Sequence, residues 1–310
     1  MDFTKFAFSL LVLFVCLGCQ DDDDVFAPID TTVDCADETS VFTITLTTDG
    51  CTTDAAAALN TPSLYEVTDQ GTTSQIRINS IPSHLIGRFP NSGNPNAVAV
   101  QNTTYTVPNS PTVADDATYG QGWIGGVLSS GVAIETFTAE YFVGSTGVTN
   151  TDWNITTFQS TRSLGLDCNN AHVNPRGSYH YHGIPNAFGA ELSANGSAML
   201  KVGVAADGFP IYYKYIAEGS GDIVVATASY RLKQEPRSGD GITAPEGCHD
   251  GFYVQDYEFV EGIGDLDACN GYFGPTPDNP GGEYFYVLTE TYPSAPICFS
   301  GTPDNSFRLR

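Results

Sequence analysis

The sequence predicts an all-β domain, a β-sandwich or jelly-roll with long loops and few short helices. Three observations carry that prediction. Gly, Pro, Ser, Thr and Asn are plentiful beside an aromatic fraction of 12%, the composition of short strands joined by turns. Several segments alternate apolar and polar residues with the period of two that a half-buried strand requires. No amphipathic pattern convincing for a helix runs beyond two turns.

In chain order, "VFTITLT" (41–47) reads as a strand and "DGCTTD" as a turn. "TDAAAALN" (53–60) is the best short helix. "SQIRINS" (74–80) and "AVAVQNTTYTV" (97–107) are strands, separated by a loop rich in Pro, Gly and Asn. Residues 122–142 read as a strand, a turn and another strand. "AMLKVGVAADGFPIYYKYIA" forms a hairpin around Asp207 and Gly208, and "DIVVATASYRL", "GFYVQDYEFV" and "GEYFYVLTE" supply later strands. No internal repeat with a fixed period is present.

Net charge is −24 although only 15% of residues are charged, because Lys and Arg together number 12. That field repels a phosphate backbone, which argues against nucleic-acid binding, and attracts divalent cations. At the N-terminus, Lys5 precedes an apolar run from Phe6 to Leu17. The run is too short to span a bilayer and has the length of a secretory h-region. "CLGC" resembles a bacterial lipobox, which makes residues 1–18 a lipoprotein signal peptide and Cys19 the lipid attachment point. Cys16 departs from the usual leucine of that box. Residues 19–38, with Asp21 to Asp24, form an acidic tether that resembles a surface-export signal. The domain proper is expected over 39–310, and the localisation is the outer membrane or cell surface, with membrane attachment through the lipid. Oligomeric state is not legible.

Six further cysteines, Cys35, Cys51, Cys168, Cys248, Cys269 and Cys298, point to disulfides in an exported chain. Proximity favours Cys35–Cys51, leaving Cys269–Cys298 and Cys168–Cys248 as the expected remainder. No C-x-x-C supports a thiolate zinc site.

The chemistry concentrates in "GSYHYHGIP" (177–185). On a strand, His180 and His182 share one face about 7 Å apart at their Cα atoms, and Tyr179 and Tyr181 point the other way towards a core. Two imidazoles at that spacing reach one metal. A strand, a Pro-Arg-Gly turn and a return would bring His172 beside them, with Asp167 close behind in sequence. The plainer alternative is a hydrogen-bonded core network. Three of the five histidines within eleven residues favour the metal. Carbonic-anhydrase and cupin patterns lack their third ligand here, and no G-x-S-x-G elbow accompanies the motif.

"SIPSHLIGRFPNSGNPN", "LGLDCNNAHVNPRGSYHYHGIPNAF", "AADGFPIY" and the stretch from "GDLDACNGYFG" to "PICFSGTPDNSF" follow one another in this order. Together they resemble the YHYH-domain family over residues 74–307. The resemblance implies metal binding through its histidine-rich motif and no established activity. It makes His84 a candidate third or fourth ligand, and it places Phe285 where relatives often carry a histidine.

Other candidates are Asp265, Asp267 and Asn270, which resemble a calcium loop with one residue too many, against a simple side-chain-stabilised turn. His249 and Asp250 adjoin Cys248, Arg176 could hold an anion, and Asp207 sits in a glycine turn best explained by packing. The expectation is a surface lipoprotein binding copper or zinc through His180, His182, His172 and His84, with Asp167 in direct or indirect support. If a coordination position were open to water, such a site could act as an enzyme, but no substrate is legible. The competing expectation is a glycan-binding adhesion module using Trp123 and Trp153, with calcium holding its loops.

Overall fold

The structure is a computed structural model that describes Cys35 and residues 43–158, 164–219 and 221–309. The segment expected as a signal peptide, Cys19 and the acidic run lie outside the described residues. Among those described, no helix is long and apolar enough to cross a membrane.

The all-β expectation holds. β1 (Tyr65–Asp69), β2 (Thr73–Ile78) and β3 (Thr103–Pro108) form an antiparallel sheet. β4 (Thr118–Tyr119) follows, then a hairpin of β5 (Gly126–Leu128) and β6 (Val132–Ile134), and a second of β7 (Tyr141–Val143) and β8 (Thr149–Asn154). β9 (Ala171–Val173) pairs antiparallel with β10 (Tyr179–Tyr181), and β11 (Lys201–Ala205) with β12 (Pro210–Tyr213). β13 (Tyr215–Ala217) pairs with β14 (Ile223–Val225), and β15 (Tyr230–Leu232) with β16 (Tyr257–Phe259). β17 (Gly271–Gly274) and β18 (Glu283–Leu288) make the last long pair, and β19 (Cys298–Phe299) returns onto β4. The helices are α1 (Ala55–Ala58), inside the segment expected for it, and α2 (Asn186–Glu191), which the sequence reading missed. Of the expected strand at 41–47, the described part contributes only a bridge from Thr43 to Thr291.

Eight strands form the main sheet in the order β17-β18-β12-β11-β5-β6-β10-β9. One face carries Leu128, Ile134, Tyr179, Tyr181, Ile211, Tyr213, Tyr286 and Leu288 into the largest core cluster. On the other face, Val127 and Ala133 meet Ile76, Ile78, Tyr105 and Val107 of the three-stranded sheet, a two-layer packing. The sheet is mixed. β10 runs parallel to β6, and β18 parallel to β12, so it departs from the wholly antiparallel pairing of a simple jelly-roll.

The strand order has an internal symmetry that the sequence spacing hides. β5 and β11 pair antiparallel with Val127 opposite Val204, Leu128 opposite Gly203 and Gly126 opposite Ala205. Exchanging the two hairpins therefore maps this register onto itself, as a two-fold axis between Val127 and Val204 requires. Each hairpin closes on a left-handed glycine, Gly131 at φ 84° and Gly208 at φ 89°, where a side chain would strain the backbone. Tyr181 pairs with Ile134 as Tyr286 pairs with Ile211. The turns entering β9 and β17 match bond for bond. Asn170 and Asn270 amides donate to the carbonyls of Asp167 and Asp267, both at 3.0 Å, and both asparagines have positive φ. The Asp167 and Asp267 carboxylates then accept from Tyr179 and Tyr284 at 2.9 and 2.8 Å. The loops between matched elements differ in length, which is why no fixed period appears in the sequence.

The disulfides are Cys35–Cys248, Cys51–Cys168 and Cys269–Cys298. Only the last matches the expectation; Cys35–Cys51 and Cys168–Cys248 are corrected. Loop-closure entropy rises so slowly with length that nearness in sequence is a weak guide once the fold places cysteines together.

Candidate metal centre

The motif lies on β10, sandwiched between β6 and β9. The expected return is present, and it sets His172 directly opposite His180 in the ladder. The turn is built locally. Asn174 Oδ1 accepts from the amides of Arg176 and Ser178, and Gly177 adopts φ 83°.

Register and alternation then place three imidazoles on one face. The ring centroids of His172, His180 and His182 are 4.7, 4.8 and 4.8 Å apart, an almost equilateral triangle. One ligand atom from each lies within 4.8 Å of the others. His182 Nε2 is 3.1 Å from His172 Nε2. Nitrogens bound about 2.0–2.1 Å from a tetrahedral ion stand roughly 3.3 Å apart, so closing the triangle needs at most about 1.5 Å of movement.

Hydrogen bonds fix which nitrogens face inward. His172 Nδ1 lies 2.8 Å from the Leu164 carbonyl and His180 Nδ1 lies 3.1 Å from the Ser178 carbonyl. A carbonyl only accepts, so both Nδ1 atoms carry a proton and both Nε2 atoms are turned inward, that of His172 accepting from His182 Nε2. His182 Nδ1 is buried without a well-formed hydrogen bond, beside the Glu135 backbone. His180 and His182 are buried and His172 is half-buried. Burial, and then the neighbouring His180, lowers the His172 pKa to about 4. Burial likewise holds His182 well below the ordinary value. These two imidazoles are neutral at neutral pH, the form a metal requires. The three histidines could hold a metal ion.

His84 and Asp167 do not join them. Tyr179 and Tyr181 project to the opposite face, and both candidates are recruited there. Tyr179 donates to Asp167 Oδ2 at 2.9 Å, and the Gly87 amide donates to the same oxygen. His84 Nδ1 donates to the Leu85 carbonyl, so its Nε2 accepts from Tyr181 Oη at 2.5 Å, and Ser130 donates to that hydroxyl at 2.8 Å. Strand alternation separates the two sets, which corrects the expectation that His84 completes the ligand set.

A family model described as YHYH protein matches residues 104–301. The chain belongs to the YHYH family. No curated protein and no solved structure is detectably similar. Within this YHYH protein the remaining candidates have structural employment. Asp267 Oδ1 accepts from the Cys269 and Gly271 amides, and Asp265 accepts from Thr227. Asn270 donates to the Val287 carbonyl. These bonds are those of the turn alternative. Asp207 accepts from Tyr286 at 2.6 Å and from the Gly301 amide. His249 bonds Asp256, which also receives Arg237, while Arg237 reaches Asp250. Arg176 is exposed in its turn. Trp123 is buried against Phe299, with Arg308 over its ring, so it offers no open stacking face, and Trp153 is half-buried in an edge contact with Tyr253. The anchoring carbonyls of Leu164 and Ser178 have no sequence signal, because any residue type supplies that oxygen.

Proposed function

We propose that this YHYH domain binds one zinc or copper ion through Nε2 of His172, His180 and His182, on an exported lipoprotein tethered to the outer surface by a lipid on Cys19. The observation that carries the reading is the inward convergence of three imidazoles, two of them locked by backbone carbonyls so that Nε2 is turned inward. Such anchoring of the second ring nitrogen is what metal-bound histidines generally require. Three nitrogen ligands without thiolate suit zinc or copper, and geometry separates those two rather than raw affinity. The Asp-rich segment after Cys19 and the paucity of Lys and Arg give the chain its acidity, which draws divalent cations towards it.

The test is metal content by mass spectrometry on untagged protein starting after Cys19, beside the His180→Ala/His182→Ala variant. One equivalent of zinc or copper in the parent, and none in a variant of unchanged circular dichroism, is the expected result. Absence of metal from the parent, with no uptake when zinc and copper are added, would sink the reading. Radiolabelled-lipid incorporation that persists in Cys19→Ala would separately refute the anchor.

A further inference from the structure

We infer that a divalent ion held by the three histidines completes its coordination with a small monovalent anion. The inference rests on the metal reading above and concerns charge balance. The ligand set has no negative group. Among the described residues, no carboxylate or thiolate joins His172, His180 and His182 within ligand distance of one another. Glu135, which follows Ile134 on β6 beside His182, does not join that group, and Asp167 is on the opposite face, occupied by Tyr179 and the Gly87 and Asn169 amides. The cysteines of the described chain are all in disulfides.

Tautomer geometry makes His172 and His180 neutral donors when each keeps its Nδ1 proton on a carbonyl. An ion in this site therefore retains its full double charge. It does so beside His180 and His182, which are 4% and 2% exposed, and burying a charge without a counter-charge is costly. An anionic ligand on the ion cancels half of that charge at the shortest distance available. Entry is from the side of His172, the partly exposed member, which stands on β9 at the edge of the sheet. The burial of His180 and His182 favours a small ligand beside the ion. The ligand class is hydroxide or a linear or monatomic anion, with the metal as its main contact.

The experiment loads untagged protein with cobalt(II), which occupies zinc sites and reports its ligands through visible absorption. Cobalt content is measured first, and sodium azide is then titrated, with neutral acetonitrile as the control. The expected result is one equivalent of cobalt and a saturable change in the bands with azide, none with acetonitrile. A change with pH in anion-free buffer, competing with azide, would assign the resident ligand to hydroxide formed by loss of a water proton to solvent. Competition without a pH response would assign an exogenous anion. Bound cobalt whose spectrum ignores azide and pH alike overturns this inference and leaves the metal site standing. Failure to bind cobalt, zinc or copper overturns both.

Discussion

The two outer halves of the main sheet use the same frame for different ends. In each half an aspartate turn leads into an edge strand, an asparagine takes a left-handed conformation, and a tyrosine on the next strand caps the carboxylate. The amides of His182 and Val287 even donate to the matching carbonyls of Asn170 and Asn270, at 2.8 and 3.0 Å. The difference that concerns the triangle lies on the other face. Where one half presents His172, His180 and His182, the other presents Tyr272, Phe285 and Val287 by register. Phe285 and Val287 belong to an apolar cluster with Met199, Tyr212 and Ile216, and Tyr272 packs against it. The frame folds well with apolar residues at these positions. Nothing in the strand pairing asks for histidine, so the histidine triangle is an addition that needs a reason outside the frame. The same comparison assigns Asp167 and Tyr179 to the frame, since their twins Asp267 and Tyr284 keep the bond with no histidine nearby.

The largest effect should come from exchanging the differing face. Replacing His172→Tyr, His180→Phe and His182→Val together should lower metal content from one equivalent to none while the far-ultraviolet circular dichroism stays unchanged. Loss of metal with retained fold would make the two halves equivalent; retained metal would show that the triangle is not the site. The reverse graft, Tyr272→His, Phe285→His and Val287→His, should raise content to two equivalents. Because that graft weakens an apolar cluster, its melting temperature should also rise with zinc concentration, as binding to the native state alone requires. A folded graft that takes up no second ion would break the claimed equivalence.

The shared frame predicts a smaller, symmetric effect. Asp167→Ala removes the acceptor for Tyr179, Gly87 and Asn169; Asp267→Ala removes it for Tyr284, Cys269 and Gly271. Each strands buried or half-buried donors, at a cost of roughly 4 kcal/mol. Urea unfolding should give the two variants similar losses. Metal uptake should survive in a folded Asp167→Ala protein, whereas its loss without a stability change would return Asp167 to the ligand set.

How much of this could be read in advance follows from what sets each contact. Alternation along a strand is local, so the shared face of His180 and His182 and the opposed tyrosines were legible. Asn-Pro-Arg-Gly announces a reversal, so the return of His172 was too. His84 was assigned to the wrong face because the motif around it says nothing of which side of β10 it meets. The parallel pairing of β6 with β10 and of β12 with β18 depends on crossovers of very different length, beyond the reach of periodicity. Two of the three cysteine pairs failed for the related reason that three-dimensional placement outweighs sequence distance. The duplicate frame escaped notice because only Asp, Asn, Tyr and Gly at scattered offsets preserve it.

Acid should separate the halves by the smallest but most local margin. Burial lowers the pKa of His84 and of His172 to about 4 and holds His182 well below its ordinary value, and all three belong to the half bearing the triangle. A depressed histidine means that the folded form binds fewer protons than the unfolded one. Stability from these groups is complete above the unfolded value near 6.5 and is lost as pH falls towards about 4. Asp167 and Asp207 are shifted upward, chiefly by burial, which acts in the opposite sense, but each half holds one of them and the contribution largely cancels in the comparison. His84 alone should cost the metal-free protein about 3 kcal/mol across that window. Hydrogen exchange at the matched amides of His182 and Val287 reads this directly. In chelator-treated protein, protection of His182 should fall before that of Val287 as pH drops from 6.5 to 4, after correction for the intrinsic exchange rate. His84→Gln should narrow the gap between the two amides, and equal loss at both would show that the buried histidines do not set the acid response of their half.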